Sequence, residues 1–150
     1  MGNLSYNIVV IGAGPAGSRS ARVLSERGFS VLLLEKRDRV GHPVRCAEAV
    51  GPRSDVERYI TLDDSLISTE INGVKVVAPN GQTFEADMPS IGFVVDRELF
   101  DRRLAELAVK AGTELRTGHQ AIDLIVEDGV VCGVRVKDLT SDSEYEISSL

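Results

Sequence analysis

Three glycines near the start of the chain have the spacing of a phosphate-binding turn. Gly12-Ala13-Gly14-Pro15-Ala16-Gly17 follows the apolar, β-branched run Ile8-Val9-Val10-Ile11 and opens a stretch, Pro15 to Arg27, with a helical pattern. In that context each glycine has a separate physical task. Gly12 allows the tight turn out of the strand, Gly14 lets the backbone approach a pyrophosphate, and Gly17 lets the helix pack close to the strand. The first N–H groups of the helix, near Ala16 and Gly17, would point at the phosphate, and the positive end of the helix dipole favours its charge. Glu35 ends the next apolar run, Val31-Leu32-Leu33-Leu34. A carboxylate there can accept hydrogen bonds from adenosine ribose hydroxyls and would repel a 2′-phosphate, which disfavours NADP. These residues imply an adenine dinucleotide and leave FAD against NAD open, because both use the same βαβ unit.

Other residues carry weaker signals. Cys46 lies beside Arg45, so either a titrating thiol or simple loop packing fits it. Arg45 and Arg97 could each fork onto phosphate oxygens, since a guanidinium matches their geometry. His42, beside Pro43, and His119, after a glycine, read as ordinary loop and strand residues, and Cys132 as core filling on a strand. No His or Cys pair has metal-ligand spacing, so no metal is expected. No serine sits in a GxSxG elbow, so nucleophilic hydrolysis has no support.

The elements that must position these groups are those of an α/β chain. Gly28 stands where the first helix ends, and the apolar runs on either side read as strands of a parallel sheet buried on both faces. Residues 38–70 show no clean period and read as loop with short helical pieces. Val74 to Ala78 and Gln82 to Ala86 flank Pro79-Asn80-Gly81, a hairpin signal. Asp96 can cap a helix to Ala111, with Leu99, Phe100, Leu104, Leu107, Ala108 and Ala111 as its stripe. After Glu114 to Arg116 come three strand-like runs, Ala121 to Glu127, Val130 to Lys137 and Tyr145 to Ser148, with a turn at Asp128-Gly129. The expected plan is a βαβ unit over 6–37, a loop over 38–60, a hairpin over 71–95, a helix over 96–111, and a strand with β-meander over 113–150.

Composition bounds the partners. Of 150 residues, 43% are hydrophobic and the formal net charge is −6, so the bulk field does not attract nucleic acid. Two cysteines make no disulfide framework and fit reduced thiols. The start lacks a basic n-region and a small-residue cleavage site, so no signal peptide is expected. No apolar run approaches the ~20 residues of a spanning helix. The expectation is a cytoplasmic protein, with peripheral membrane contact left open.

Beyond Glu35, Gly41-His42-Pro43-Val44-Arg45-Cys46-Ala47-Glu48-Ala49-Val50-Gly51 resembles the loop that follows the first βαβ unit in geranylgeranyl reductases, which are p-hydroxybenzoate-hydroxylase-like flavoproteins. Val95-Asp96-Arg97-Glu98-Leu99-Phe100-Asp101, with Leu104-Ala105 and Ala108, resembles their second FAD-contacting helix start. The β-meander from Ala121 fits the same layout, so the resemblance covers nearly the whole chain. It implies a Rossmann-type FAD-binding domain with a β-meander, truncated before the domain is completed. It implies FAD as cofactor, with Gly12, Gly14, Ala16 and Gly17 on the pyrophosphate and Glu35 on the ribose. Cys46, Ala47 and Ala49 would lie along the flavin end, Arg97 would reach the cofactor from the helix start, and the backbone of Ala121 would meet the adenine. The family's later Gly-Asp motif and prenyl-binding motif are not in this sequence, so the expectation is either a fragment or an enzyme whose remainder lies outside these 150 residues.

The resemblance implies reduction of isolated double bonds of a geranylgeranyl chain on a membrane lipid. The partners would be a prenyl lipid and an electron donor, NAD(P)H or ferredoxin, and no protein group is assigned as acid. Two alternatives stand beside it: a flavin monooxygenase of the same fold, and an FAD-binding fragment inactive by itself.

Overall fold

The computed structural model describes residues 4–149. Its strands are β1 (Leu4–Tyr6), β2 (Ile8–Ile11), β3 (Val31–Glu35), β4 (Ala49–Val50), β5 (Ile67–Val77), β6 (Thr83–Val95), β7 (Glu114–Thr117), β8 (His119–Glu127), β9 (Val130–Asp138) and β10 (Glu144–Ser149). Its α-helices are α1 (Pro15–Glu26), α2 (Arg53–Val56) and α3 (Arg97–Lys110), with a 3₁₀ turn at Asp64–Leu66. The chain divides into two compact units, one formed by the chain up to Pro43 and from Asp101 on, the other by Val44–Phe100.

In the first unit β2, β3 and β7 form a parallel sheet in that order. The four-residue apolar run Val31–Leu34 explains its centre. Alternate side chains of a strand point to opposite faces, and here both faces are covered. Val31 and Leu33 pack with Ala13, Ala21, Val40, Ala105 and Ala108, joining β3 to both long helices. Leu32 and Leu34 pack with Val134, Val136 and Ile147 of the second sheet. That sheet has the order β1-β10-β9-β8, with β1 parallel to β10 and the rest antiparallel. The β8–β9 turn has positive φ at Asp128 (49°) and Gly129 (80°), the conformation that Asp-Gly hairpins require.

Three expectations are corrected here. The run Ile8–Ile11 is not buried on both faces. Among the described strands β2 lies at the sheet edge, Ile8 to Val10 are half-buried, and Ile11 is 57% exposed. In this sheet, among the described strands, only β3 has a strand on each side. The chain start was not read as a strand, yet β1 pairs with β10 at Leu4↔Ile147. A three-residue strand is too short to show a period. Cys132 is half-buried rather than core filling, with its thiol donating to the Ile125 carbonyl at 3.4 Å. The meander is described as far as Ser149; its expected end at 150 lies outside the described residues.

In the second unit β5 and β6 form the long hairpin of a three-stranded sheet, order β4-β6-β5. The turn sits where Asn80-Gly81 put it: Gly81 has φ +83° and its N–H donates to the Ala78 carbonyl at 2.9 Å. The hairpin ends at Val95, where the expected span of 71–95 ends, but it begins earlier, at Ile67, and its strands are longer than the runs 74–78 and 82–86. β-Bulges between Ile67 and Thr69 and between Ile71 and Gly73 break the alternation that would have shown them. The loop after residue 38 holds the expected short helices and one unexpected strand, β4, paired with β6 at Ala49↔Val94. Helix α3 starts as its cap predicts, with the Leu99 N–H donating to the Asp96 carboxylate at 3.0 Å. Its buried stripe is Phe100, Leu104, Ala105 and Ala108, together with Asp101.

The contact that sets the α1–β2 geometry is at Gly17. A Cβ built there would lie 1.9 Å from the Gly12 carbonyl oxygen, which is backbone and has no side-chain freedom to yield. Gly17→Ala must therefore push the helix off the strand end. It is expected to lower unfolding stability by about 1–3 kcal/mol, the range for overpacking, measured by urea denaturation. An unchanged midpoint would mean that the helix and the turn do not approach as closely as described.

Candidate functional site

The glycine turn is held by its neighbours at four polar backbone atoms. Gly12 leaves β2 with φ +97°, a left-handed conformation suited to glycine, and its N–H donates to the Leu34 carbonyl at 2.7 Å. The Ala13 N–H donates to Glu35 Oε2 at 2.9 Å. The Ala13 carbonyl accepts from the Ser18 hydroxyl at 3.0 Å, and the Gly14 carbonyl accepts from the Ser18 N–H at 2.9 Å. Ala13 and Ser18 are buried.

Gly14 is the informative glycine. Its φ of −72° is open to any residue, and a Cβ built on it would meet no atom of the chain within 4 Å. Gly12 is explained by its positive φ and Gly17 by the carbonyl it touches. Nothing within the chain explains glycine at 14. The missing side chain leaves open space directly over the N-terminus of α1, the place where a bound anion would lie. Pro15 takes the first turn, where its missing N–H is not needed, and Ala16 is exposed. Among the described residues no side chain caps α1, so the orphan donors of its first turn are left for solvent or a ligand.

Glu35 stands at the C-terminal end of β3 beside this turn, 9% exposed. From its place in the sequence one task is expected of it, the ribose. The structure gives it a second, because Oε1 accepts from the Arg37 N–H at 3.0 Å while Oε2 holds Ala13. Each carboxylate oxygen has a further lone pair, so ribose recognition stays open to it from a fixed position. Ala121 lies on β8, paired with Val136 and half-buried against the Leu32–Leu34 face. A bulge follows it before Asp123.

The remaining expected site residues lie in the second unit. Cys46, Ala47 and Ala49 are exposed. The reading of Cys46 as a buried, packed loop cysteine is thus overturned: His42 to Ala47 run along the surface. The Glu48 carbonyl accepts from the Val95 N–H at 3.0 Å, which sets this loop beside the strand that leads into Arg97, the first residue of α3. A cavity of about 560 Å³ in this unit is lined by Val44, Glu48, Ser68, Asp96, Glu98 and Leu99. Sequence reasoning missed Ser18 and the backbone of Ala13. The signal was present: Ser18, Ala21 and Ser25 recur at helical spacing on the inner face of α1.

Glu35→Ala leaves the buried Ala13 N–H without its acceptor. The expected loss is about 1–3 kcal/mol of stability in ligand-free protein, the desolvation penalty of one unsatisfied donor, read by chemical denaturation. Wild-type stability in that variant would show that the carboxylate does not hold the turn.

The comparisons with known proteins agree with this geometry. The model of the NAD(P)-binding Rossmann-like domain matches residues 10–59. Digeranylgeranylglycerophospholipid reductase 1 of Methanococcoides burtonii is 44% identical over 138 residues, covering 89% of this chain and 34% of that protein. The solved structure of a geranylgeranyl bacteriochlorophyll reductase-like protein from Thermoplasma acidophilum superposes with a TM-score of 0.87 at 31% identity, over 99% of this chain and 38% of that one. A myxobacterial chondrochloren halogenase, described as FAD-dependent, shares the fold with a TM-score of 0.74 at 22% identity, over 97% of this chain and 36% of its own. The chain thus spans about a third of the length of the relatives it matches. Over nearly its whole length the chain is thus similar to a part of digeranylgeranylglycerophospholipid reductases and of a geranylgeranyl reductase-like protein, and it has a Rossmann-like fold.

Proposed function

We propose that this chain is the FAD-binding part of a reductase that acts on isolated double bonds of a geranylgeranyl chain carried by a membrane lipid. The observation that supports the cofactor site is Gly14, a glycine with ordinary φ and open space where its Cβ would stand. FAD rather than NAD rests on the sequence resemblance to flavoproteins and on the FAD-dependent enzyme of like fold; the latter is analogy and carries less weight. The lipid substrate rests on the names of the relatives.

In this reading Gly12, Gly14, Ala16 and Gly17 bind the pyrophosphate through backbone N–H groups at the start of α1. Glu35 accepts from the ribose hydroxyls, and the Ala121 backbone meets the adenine. Cys46, Ala47 and Ala49 serve the flavin half, and Arg97 neutralises phosphate charge from the start of α3. FAD, when bound, supplies the hydride-transferring ring, and the protein orients it and keeps water away. No residue of this chain is assigned as the proton donor. The electron donor would be NAD(P)H or a ferredoxin, and the protein would meet its lipid at the membrane surface. No described helix is long and apolar enough to cross a membrane.

Two experiments bear on this reading. Gly14→Val places a branched side chain in the open space over the helix start, so the variant is expected to fold as the wild type does and to purify colourless. A yellow variant with full flavin occupancy would move the cofactor off this turn. For the reaction, the purified flavoprotein, chemically reduced, is incubated with a geranylgeranylated glycerophospholipid, and the lipid mass is measured. A gain of two hydrogens per bond is expected. A gain of oxygen would instead assign the monooxygenase chemistry of the same fold, and an unchanged lipid would leave the chain a cofactor-binding module only.

A further inference from the structure

Ser18 is absent from the dinucleotide fingerprint, yet it is fully buried and bonded twice to the glycine turn. Its hydroxyl donates to the Ala13 carbonyl at 3.0 Å and its N–H to the Gly14 carbonyl at 2.9 Å. A serine inside a helix more often turns its hydroxyl to solvent or to the carbonyl one turn back. This one reaches five residues back, beyond the helix start, to a carbonyl outside the helix. On the other side of the same residue, the Ala13 N–H is held by Glu35 at 2.9 Å.

The peptide bond is planar and trans, so the carbonyl of one residue fixes the direction of the next N–H, anti to it. Holding the Ala13 carbonyl against Ser18 therefore turns the Gly14 N–H away from Ser18. Holding the Ala13 N–H against Glu35 fixes the preceding plane, whose Gly12 carbonyl is the oxygen that approaches Gly17 so closely. Two consecutive peptide planes of the turn are thereby locked by two side chains from different elements, α1 and β3. Such a turn needs little reordering when an anion arrives, and lowering that ordering cost raises affinity.

We propose that Ser18 is a positioning residue for the pyrophosphate, acting through the Ala13–Gly14 peptide. It touches no ligand itself. Ser18 and Glu35 act on the same residue, Ala13, one through its carbonyl and the other through its N–H. This inference rests on the dinucleotide site proposed above.

The test compares wild type, Ser18→Ala, Ser18→Cys, Glu35→Gln and the Ser18→Ala/Glu35→Gln double variant. Binding of FAD, of ADP and of adenosine is measured by titration, the last two in competition with FAD. Loss of one buried hydrogen bond predicts that Ser18→Ala weakens ADP and FAD by about tenfold. Adenosine, which lacks the pyrophosphate, keeps its wild-type affinity. Ser18→Cys, a weaker donor in nearly the same space, falls between the two. The double variant departs from the product of the single effects on FAD, because both act on one residue. Equal weakening of ADP and adenosine would mean general loosening of the fold, and unchanged ADP binding would mean that the turn holds itself; either result overturns the inference alone. Wild-type protein that binds neither FAD nor ADP would overturn the cofactor reading, and the inference with it.

Discussion

Helix α1 approaches the end of β2 so closely that residue 17 has no room for a side chain. A Cβ there would lie 1.9 Å from the Gly12 carbonyl oxygen, far inside van der Waals contact distance. The rest of the first unit follows from this contact. It places the helix start directly over the turn, so the uncapped N–H groups of α1 and the open space at Gly14 share one location. It also sets the inner face of α1 against β3, where Ala21 is fully buried beside Val31 and Leu33. Small residues at 13, 17, 18 and 21 are what permit such an approach, and their order along the chain is read directly as helical spacing.

Strand β3 is the second constraint. A run of four large apolar residues can be satisfied only if both faces of the strand are covered. The helices cover one face and the β-meander the other, which divides the apolar side chains into two separate clusters. Glu35 follows this run and is the first residue past the apolar layer. The carboxylate is nearly buried there, and burial without partners would penalise its charge. Two backbone N–H groups accept that role, from Ala13 and Arg37. A structural tie and a ribose acceptor can reside in one side chain because a carboxylate has more lone pairs than the protein uses.

Ties between the first unit's two sheets are made at their rim as well. Tyr6 of β1 donates to Glu114 of β7 at 2.6 Å, and Arg116 of β7 bonds both Tyr6 and Tyr145 of β10. The hydrogen bond from Tyr6, reinforced by Arg116 and opposed by partial burial, holds the Glu114 carboxyl below its ordinary range. Partial burial, together with its bond to Glu114, holds the Tyr6 hydroxyl above its own. Neither group lies at the glycine turn. Their place is to fasten β1 and β10 to the parallel sheet, on the face that Leu32 and Leu34 leave covered.

The sequence by itself determined the βαβ unit, the glycine turn, the carboxylate that follows β3, the capped start of α3 and both hairpin turns. Each depends on neighbours within a few residues, through helical period, turn chemistry or a cap. Tertiary structure alone decided the rest. That β2 is an edge strand depends on which strands flank it, and an apolar run reads the same at an edge as at a centre. The start of β5 before residue 71 was hidden because bulges interrupt the alternation on which a strand reading rests. Cys46 is exposed because its loop lies on the surface, which no local pattern reports. The separate tasks read for Gly12, Gly14 and Gly17 gained a physical basis only when the space around each could be compared. Ser18 looked like a helix residue of no consequence, since its partner, the Ala13 carbonyl, is brought to it by the fold, while the N–H of that same residue donates to Glu35, 17 positions from Ser18 along the chain.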